Sequence, residues 1–212
     1  GISCTSGTPV ITRNHIFNCT GQNAGGIFLD QCNSAVFEVT SNIVHHCESA
    51  GDGGAVTVID STPVLVNNTF ADNTATGAGG GIRVQGSTIE VANTIFWNNT
   101  AASGNAGSLD LTASVPSVVD LDYCDVEGGQ ASFDIVVGCT LNYGGSNIDA
   151  DPMFLDTAKS DYHIPFDSPC RKAGNRNHPS LPGTDFEGDT IIGLFILPEI
   201  GADEFATHFY IR

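Results

Sequence analysis

The chain has few cationic residues. Its 212 residues include 7 Lys and Arg against 24 Asp and Glu, which gives a formal net charge of −17. Binding to the phosphates of a nucleic acid needs a cationic surface, and so does binding to an anionic membrane. The sequence therefore predicts no nucleic-acid partner. It favours an extracellular or cell-surface setting, with cation binding as one option.

Long apolar runs and familiar catalytic motifs are also missing. No run approaches the roughly 18 residues of a membrane-spanning helix, so membrane insertion is not expected. The chain contains no CxxC pair, nucleophile elbow, Walker loop or HExxH sequence, which leaves zinc-ribbon, hydrolase-elbow and nucleotide-binding chemistry unsupported. Because it begins at Gly1 without an initiating Met or a signal peptide, we interpret it as a mature or excised piece of a longer protein.

What the chain does contain is a repeat rich in glycine and β-branched residues. An aromatic or β-branched residue lies three positions before a Cys or Asn, and this pair recurs at steps of about 26 to 28 residues. The four copies are Ile16 with Cys19, Val44 with Cys47, Phe70 with Asn73, and Phe96 with Asn99. Paired glycines follow the first three copies at Gly25, Gly53 and Gly79, and then a short alternating strand begins.

This period fits one coil of a parallel β-solenoid. Helical and propeller repeats have longer periods, and the strands of a β-sandwich do not keep one vocabulary at a fixed step. The sequence predicts an all-β, right-handed parallel β-helix of five to seven coils, in which Ile16, Val44, Phe70 and Phe96 form one inward stack. Asn at a corner can extend an amide ladder along the axis, and the glycines permit positive φ at sharp turns.

The spacing of the seven cysteines is also compatible with the solenoid. Cys4 and Cys32 are about one coil apart, as are Cys19 and Cys47, and neighbouring coils bring equivalent Cα atoms to about 5 Å, within disulfide range. The sequence predicts these two bridges and allows a third between Cys124 and Cys139, which leaves Cys170 over. The alternative is that all seven are small buried side chains in a reduced chain.

After about Gly128 the repeat fades, and several phrases there resemble one known family. The phrases are NTIFWNN from Asn93, NIDADPMFLD from Asn147, DYHIPFDSPCRKAGN from Asp161 and EIGADEF from Glu199. They are similar in order and spacing to secreted right-handed β-helix proteins with a choice-of-anchor Q segment, related to polymorphic outer-membrane and pectin-lyase-like proteins. The resemblance covers essentially the whole chain. It implies a secreted or surface-displayed β-helix and no defined activity.

The change of vocabulary divides the chain into two parts. Residues 1–128 are predicted to form the coils, and residues 129–212 the last coil or coils and a C-terminal cap. A solenoid end exposes strand edges that invite end-to-end pairing, and the apolar run IIGLFIL from Ile191 to Leu197 is the predicted cover. The N-terminal end has no comparable cover, so end-to-end self-association is an option.

Four acids are weak catalytic candidates. Hydrolysis of a polysaccharide needs two clustered carboxylates, and the acids that lie close in sequence are Asp110, Asp120, Asp122 and Asp125. Solvated turn carboxylates are the simpler interpretation. A lyase would need a Lys or Arg base and cations against a uronate, whereas the repeats hold only Arg13 and Arg83.

Acid clusters after the repeat suggest calcium as an optional cofactor, since hard cations prefer oxygen ligands. The candidate ligands are Asp149, Asp151, Asp185, Glu187 and Asp189. The alternative is that these acids are solvated or accept turn amides. The adjacent His45 and His46 should face opposite sides of a strand, which disfavours a shared metal.

Trp97 is the one weak candidate for stacking against a sugar ring. Of two neighbours on a strand one faces inward, so Trp97 should point outward if Phe96 is in the core; the alternative is lateral packing under a loop. We expect a non-enzymatic surface scaffold of adhesin-like type that binds glycans or a surface protein. The alternatives are a pectin-lyase-like polysaccharide lyase or glycoside hydrolase, and a self-assembling extracellular filament subunit.

Overall fold

The structure, a computed structural model, describes residues 1–110, 115–191 and 197–202. It is a parallel β-helix of about five turns. The first coil contains β1 (Ile2–Thr5), β2 (Ile11–Thr12), β3 (His15–Phe17) and β4 (Thr20–Gly21). The second contains β5 (Ile27–Asp30), β6 (Phe37–Thr40), β7 (Ile43–His45) and β8 (Glu48–Ser49). The third contains β9 (Val56–Ile59), β10 (Pro63–Val66), β11 (Thr69–Ala71) and β12 (Thr74–Ala75).

The later coils repeat the first three strand positions. The fourth contains β13 (Ile82–Gln85), β14 (Thr88–Ala92) and β15 (Ile95–Trp97), and the fifth contains β16 (Gly107–Asp110), β17 (Val118–Asp122) and β18 (Asp125–Val126). A 3-10 turn at Gly129–Ser132 leads to β19 (Phe133–Ile135) and β20 (Thr140–Tyr143), which begin a sixth coil. A second 3-10 turn lies at Thr157–Lys159.

Equivalent strands of successive coils pair in parallel and build four sheets. The first sheet runs β1-β5-β9-β13-β16-β19 and the second β2-β6-β10-β14-β17-β20. The third runs β3-β7-β11-β15-β18, and the short fourth β4-β8-β12. The predicted all-β parallel β-helix is therefore confirmed.

The predicted inward stack is also confirmed. Ile16 pairs with Val44, Val44 with Phe70, and Phe70 with Phe96, and all four side chains are buried. The rings of Phe70 and Phe96 have centroids 5.4 Å apart in an edge-to-face arrangement, which is favourable for aromatic pairs. Val126 continues the stack from β18.

The two residues of the repeated Asn-Asn sequence have different structural roles. Asn67 and Asn98 have φ of 54° and 51° and turn the chain at a corner; Asn tolerates this left-handed region better than most residues. The second residue points inward. Asn68 donates to the backbone oxygen of Val39 at 2.8 Å, and its Oδ1 accepts the backbone N–H of Asn42 at 3.1 Å.

The paired glycines are explained partly by positive φ and partly by close approach of coils. Gly53 and Gly79 have φ of 68° and 73°. Gly25 is not in that region; a Cβ there would collide with the backbone oxygen of Gly54, and one at Gly54 with that of Gly80. Gly25, Gly54 and Gly80, which lie above one another, therefore let neighbouring backbones touch.

Residues 161–191 and 197–202, which we call the C-terminal segment, lie along the side of the solenoid. Gly201 donates to the backbone oxygen of Asn93 at 2.8 Å, while Ser41 and Arg13 donate to backbone oxygens of Thr184 and Phe186, each at 3.2 Å. The described part of this segment therefore packs laterally, and the cap over the terminal coil stays a prediction. The cap prediction itself falls largely on residues 192–196, including Phe195, which lie outside the described residues.

The outer face of the third sheet accounts for the lateral course. Its strands carry apolar residues on both faces, and Ile43, Ala71 and Ile95 are buried although they point away from the core. Tyr162 and Ile200 of the C-terminal segment pack against them. A sheet buried on both faces lacks the alternation of buried and exposed positions, and IVH, TFA and IFW are accordingly buried or partly buried at all three positions.

Candidate functional site

An open groove of about 450 Å³ lies beside Trp97, between the outer face of the third sheet and the loop after β20. We call it the Trp97 groove. It is lined by Asp72, Trp97, Asn98, Asp151, Met153, Phe154 and Thr157. The lining combines an aromatic ring with carboxylate, amide and hydroxyl groups.

The fold orients Trp97 toward this groove. Phe96 turns inward, and Trp97 at the end of β15 points outward next to the small side chain of Ala71 on the preceding coil. The indole is partly buried, because it packs against the buried clusters that contain Tyr162 and Ile200 of the C-terminal segment. Trp97 is thus a lateral packing residue and also a wall of an open groove; its stacking against a sugar ring stays a prediction.

Two carboxylates stand in the groove with uncharged donors. Asp72 accepts hydrogen bonds from the Tyr162 hydroxyl at 2.6 Å and from Asn98 Nδ2. Asp151 Oδ1 accepts the backbone N–H of Met153 at 2.8 Å. Burial, together with the bond to Asp72, holds the pKa of Tyr162 above its usual value, so the hydroxyl donates as a neutral group.

Three histidines continue from Asp72 into the interface with the C-terminal segment. His15 Nε2 lies 2.7 Å from His45 Nε2, His45 Nδ1 lies 2.9 Å from His46 Nδ1, and the Tyr162 hydroxyl lies 3.4 Å from His46 Nδ1. Burial lowers the pKa of His45 to about 4, with the positive charge of protonated His15 and His46 adding to the effect. We call His15, His45 and His46 the histidine relay.

The relay corrects the expectation that His45 and His46 face opposite sides. His46 has φ of 50°, so the chain turns a corner between the two residues and the strand alternation does not apply. His45 remains buried while His46 is exposed. Both nitrogens of His45 are used by other imidazoles, which suits a hydrogen-bond chain better than a shared metal ligand set.

A second groove, of about 290 Å³, contains two of the predicted catalytic acids. We call it the Glu90 groove. Asp120 pairs with Glu90 on the preceding coil and with Asn142 on the next one, so all three are in one outward column. His178 from the C-terminal segment lies with Nε2 2.9 Å from Glu90 Oε1, and Asp122 also lines the groove.

The other two predicted catalytic acids lie elsewhere. Asp125 is fully buried; Ala150 donates to its Oδ1 at 3.1 Å and the Cys170 thiol to its Oδ2 at 2.9 Å. Burial, with some contribution from the nearby charges of Asp149 and Asp151, raises the pKa of Asp125 to about 6. Asp110 belongs to β16 in the first sheet, whereas the groove is on the second sheet, and its side chain is outside what the structure describes.

Sequence reasoning missed Glu90 and His178. Glu90 alternates outward on β14, and Asp120 does the same on β17, so the column is visible once the strands are aligned. The step between these coils is longer than the 26 residues of the preceding ones, and this irregularity hid the alignment. His178 comes from the C-terminal segment, which carries no repeat.

The proposed calcium ligands mostly accept turn amides. Asp185 is buried, and its Oδ1 accepts the backbone N–H groups of Gly188 and Asp189, both at 2.8 Å. Glu187 Oε1 lies 3.3 Å from His163 Nε2, and Asp149 Oδ1 accepts the N–H of Gly128 at 3.1 Å. Within residues 1–110, 115–191 and 197–202, no group of three or more His, Cys, Asp or Glu is arranged to hold a metal ion.

Neither of the two predicted disulfides is formed, nor is the third bridge that the spacing allowed, and all seven cysteines are free thiols. Most of them occupy ladder positions that Asn or Ser fills in other coils. The Cys47 sulfur accepts the backbone N–H of Cys19, which holds the equivalent position one coil away. Cys4 and Cys32 are not in register, because the strand partner of Cys4 is Leu29 and Cys32 comes after the end of that strand. Burial raises the pKa of Cys47 to about 11, which keeps it a thiol.

Cys124 and Cys139 belong to different ladders, which explains why they do not pair. The backbone N–H of Cys124 donates to Asn147 Oδ1 at 2.8 Å, in the column of Asn42 and Asn68. Cys139 Sγ instead accepts the N–H of Ser117 at 3.3 Å. Cys124 and Cys139 are close in sequence but therefore lie at different corners of the coil.

The described residues contain no helix with the length and apolar character that a membrane crossing requires. No protein-family model, no curated protein and no solved structure matches the chain.

Proposed function

We propose that this protein is a non-catalytic β-helix scaffold of the cell surface or extracellular space that binds glycans in the Trp97 groove. The observation that carries the proposal is the partly exposed Trp97 ring in a groove with several polar groups. The resemblance of the C-terminal phrases to the choice-of-anchor Q family agrees with it, since that family is secreted or surface-displayed.

The chemistry of the groove suits a sugar. A pyranose ring has apolar C–H faces that pack on an aromatic ring, and an equatorial rim of hydroxyls that need partners. Asp72 and Asn98 sit at the corner directly above the strand end, and Asp151 and Thr157 come from the loop opposite. Carboxylate and amide oxygens accept from sugar hydroxyls, and amide and hydroxyl groups donate to them.

The test is a glycan array, followed by titration of the best ligands. We expect binding that Trp97→Ala reduces by at least about tenfold, or about 1.4 kcal/mol. Phe166→Ala is the control, because Phe166 is an exposed aromatic residue outside the groove. An array without a hit, or binding that survives Trp97→Ala unchanged, would contradict the proposal.

A glycoside hydrolase is the second candidate, because the Glu90 groove pairs Glu90 and Asp120 on adjacent strands. Adjacent parallel strands are about 4.8 Å apart, near the carboxyl separation of about 5–5.5 Å in retaining hydrolases. A lyase has less support, because His178 is the only basic residue among the described residues that line the Glu90 groove.

A reducing-sugar assay separates the hydrolase from the binding scaffold. If the Glu90 groove is catalytic, neutral polysaccharides should release reducing ends, and Asp120→Asn should lower the rate by at least about a hundredfold. Asp134→Asn, which removes an exposed acid on the first sheet, should leave the rate unchanged. A parent protein without turnover on a broad polysaccharide panel rules the hydrolase out.

The self-assembling filament subunit has less support than either. Its support is that β1, β2, β3 and β4 each pair on one side only within the described chain. Unpaired strand edges are templates for further pairing. Light scattering over a concentration series would reveal such association.

A further inference from the structure

We propose that the Trp97 groove prefers glycans with free amino groups, such as de-N-acetylated amino sugars, over N-acetylated sugars and uronates. This inference rests on the proposed glycan binding and adds the ligand class. The seven residues that line the groove include the two acids Asp72 and Asp151 and no Lys, Arg or His. A ligand with an ammonium group therefore meets opposite charge, and a uronate meets like charge.

The charge on these acids is not cancelled by the donors that the structure shows for them. Asp72 receives the Tyr162 hydroxyl and the Asn98 amide, and Asp151 receives a backbone amide. The lysine nearest in sequence, Lys159, is engaged with Asp156 at 2.6 Å. A carboxylate whose hydrogen-bond donors are all neutral keeps its negative charge and its attraction for a cation.

Further acids surround the groove. Glu127 Oε2 accepts the backbone N–H of Asn98 at 2.6 Å, which places this carboxylate next to a lining residue. Asp149 Oδ1 accepts a hydrogen bond from the backbone N–H of Gly128, the residue that follows Glu127. The negative potential of the groove thus comes from two coils and a loop, and the net charge of −17 reinforces it. Clustered charge of one sign raises the local concentration of the opposite ion.

The aromatic wall contributes to the same preference. An ammonium group is attracted to the face of an indole ring, and Trp is the strongest aromatic partner for this contact. Acetylation converts the ammonium to a neutral amide and removes both the ion pair and the cation–π contact. The preference should therefore be electrostatic, and salt should weaken it.

The experiment uses the fluorescence of Trp97, which is the only tryptophan in the chain and reports directly from the groove. The 212-residue chain is titrated with three tetrasaccharides: glucosamine, N-acetylglucosamine and galacturonate. We expect the glucosamine oligomer to bind at least about tenfold more tightly than its N-acetylated form. Raising NaCl from about 50 to about 500 mM should remove most of that difference, and galacturonate should not bind.

Asp151→Asn tests the source of the preference. It should cut the ratio between the two glucosamine oligomers to below about threefold, because the amide that replaces the carboxylate cannot pair with an ammonium group. The control Asp167→Asn removes one exposed acid elsewhere and should retain the full ratio. Equal binding of both oligomers, or a ratio that Asp151→Asn does not alter, overturns the amino-sugar preference while the glycan-binding scaffold stands. If none of the three oligomers binds, the preference is wrong, and the glycan array alone decides the proposed function.

Discussion

At the scale of single residues, the stacked polar side chains at the corners of the coils form ladders along the axis. They supply hydrogen bonds to backbone groups where the strand pairing stops at a corner. Asn68 and Asn73 are fully buried, yet each satisfies backbone groups on the neighbouring coils. Thr94 takes the same place as Asn68 one coil later and accepts its N–H at 3.4 Å through a hydroxyl. The ladder therefore requires an acceptor of small volume, and Asn, Thr, Ser and Cys all qualify.

Replacing Asn68 tests the energetic value of a ladder position. Asn68→Ala should destabilise the protein by about 2–5 kcal/mol, because the backbone N–H of Asn42 and the oxygen of Val39 both lose a partner in the interior. Asn68→Thr should cost clearly less, since Thr94 shows that a hydroxyl can accept in this column. Chemical denaturation gives both values.

Asn33→Ala provides the matched control for the ladder. Asn33 is exposed, and its loss should change stability by no more than about 0.5 kcal/mol. If Asn68→Ala were as stable as Asn33→Ala, the ladder would be a geometric coincidence without energetic weight.

At the scale of elements, the third sheet is the point at which the solenoid and the C-terminal segment meet. His45 on β7 is the polar residue at this contact: its ring lies 4.6 Å from that of Tyr162 and stacks on that of Phe17 at 5.4 Å. The groups that face it are His15, His46 and, through Tyr162, Asp72. Burial lowers the pKa of both His15 and His45, so these two rings are neutral near pH 7.

This arrangement predicts loss of stability in mild acid. The pKa of His45 is about 4 in the folded protein against 6.5 for an ordinary histidine, so the unfolded chain takes up the proton first as pH falls. The stability contributed by neutral His45 should be present above about pH 6.5 and lost as pH drops toward 4. We expect a loss on the order of 1–2 kcal/mol, reduced by solvent screening through the exposed rings of His15 and His46.

The measurement compares the parent and His45→Phe by thermal unfolding between about pH 7 and pH 4.5. Phe keeps the stacking on Phe17 but cannot be protonated, so the variant should lose less stability in acid than the parent. Parallel pH profiles for the two proteins would show that the relay does not sense pH.

At the scale of the whole molecule, the C-terminal segment connects distant coils. It contacts Arg13 in the first coil, Asn93 in the fourth and Asp125 in the fifth. Ile200 is fully buried and packs with Ile95, Ile164 and Cys170. Such contacts should make the solenoid and the segment unfold as one unit, although an isolated solenoid is stabilised only between neighbouring coils.

Placing a charge at Ile200 tests this coupling. Ile200→Asp should lower stability by more than about 3 kcal/mol, because it removes apolar burial and leaves a carboxylate in the interior. Exposure of Ile43 and Ile95 should also promote association, which light scattering would detect. Leu197→Asp introduces the same charge at a position that is 41% exposed. Equal unfolding midpoints for the two variants would mean that the segment is docked independently of the solenoid's stability.

Much of the architecture was predictable from the sequence alone. The period between Ile16, Val44, Phe70 and Phe96 was enough to predict a parallel β-helix and its inward stack, because each coil must place the same residue types at the same corner. The Asn ladder was predictable for the same reason. Trp97 could be assigned to the outer face from its position next to Phe96.

The tertiary structure alone decided where the non-repeating half lies and what it brings together. Its course along the third sheet places Tyr162 on Asp72, Cys170 on Asp125 and His178 on Glu90, and contacts so distant in sequence have no periodic signal. It also separated Cys124 from Cys139, because the residue count between them does not equal a coil. A repeat fixes the local geometry by stacking each residue on its copy, whereas a single non-repeating segment is positioned by shape and burial, which only the folded molecule expresses.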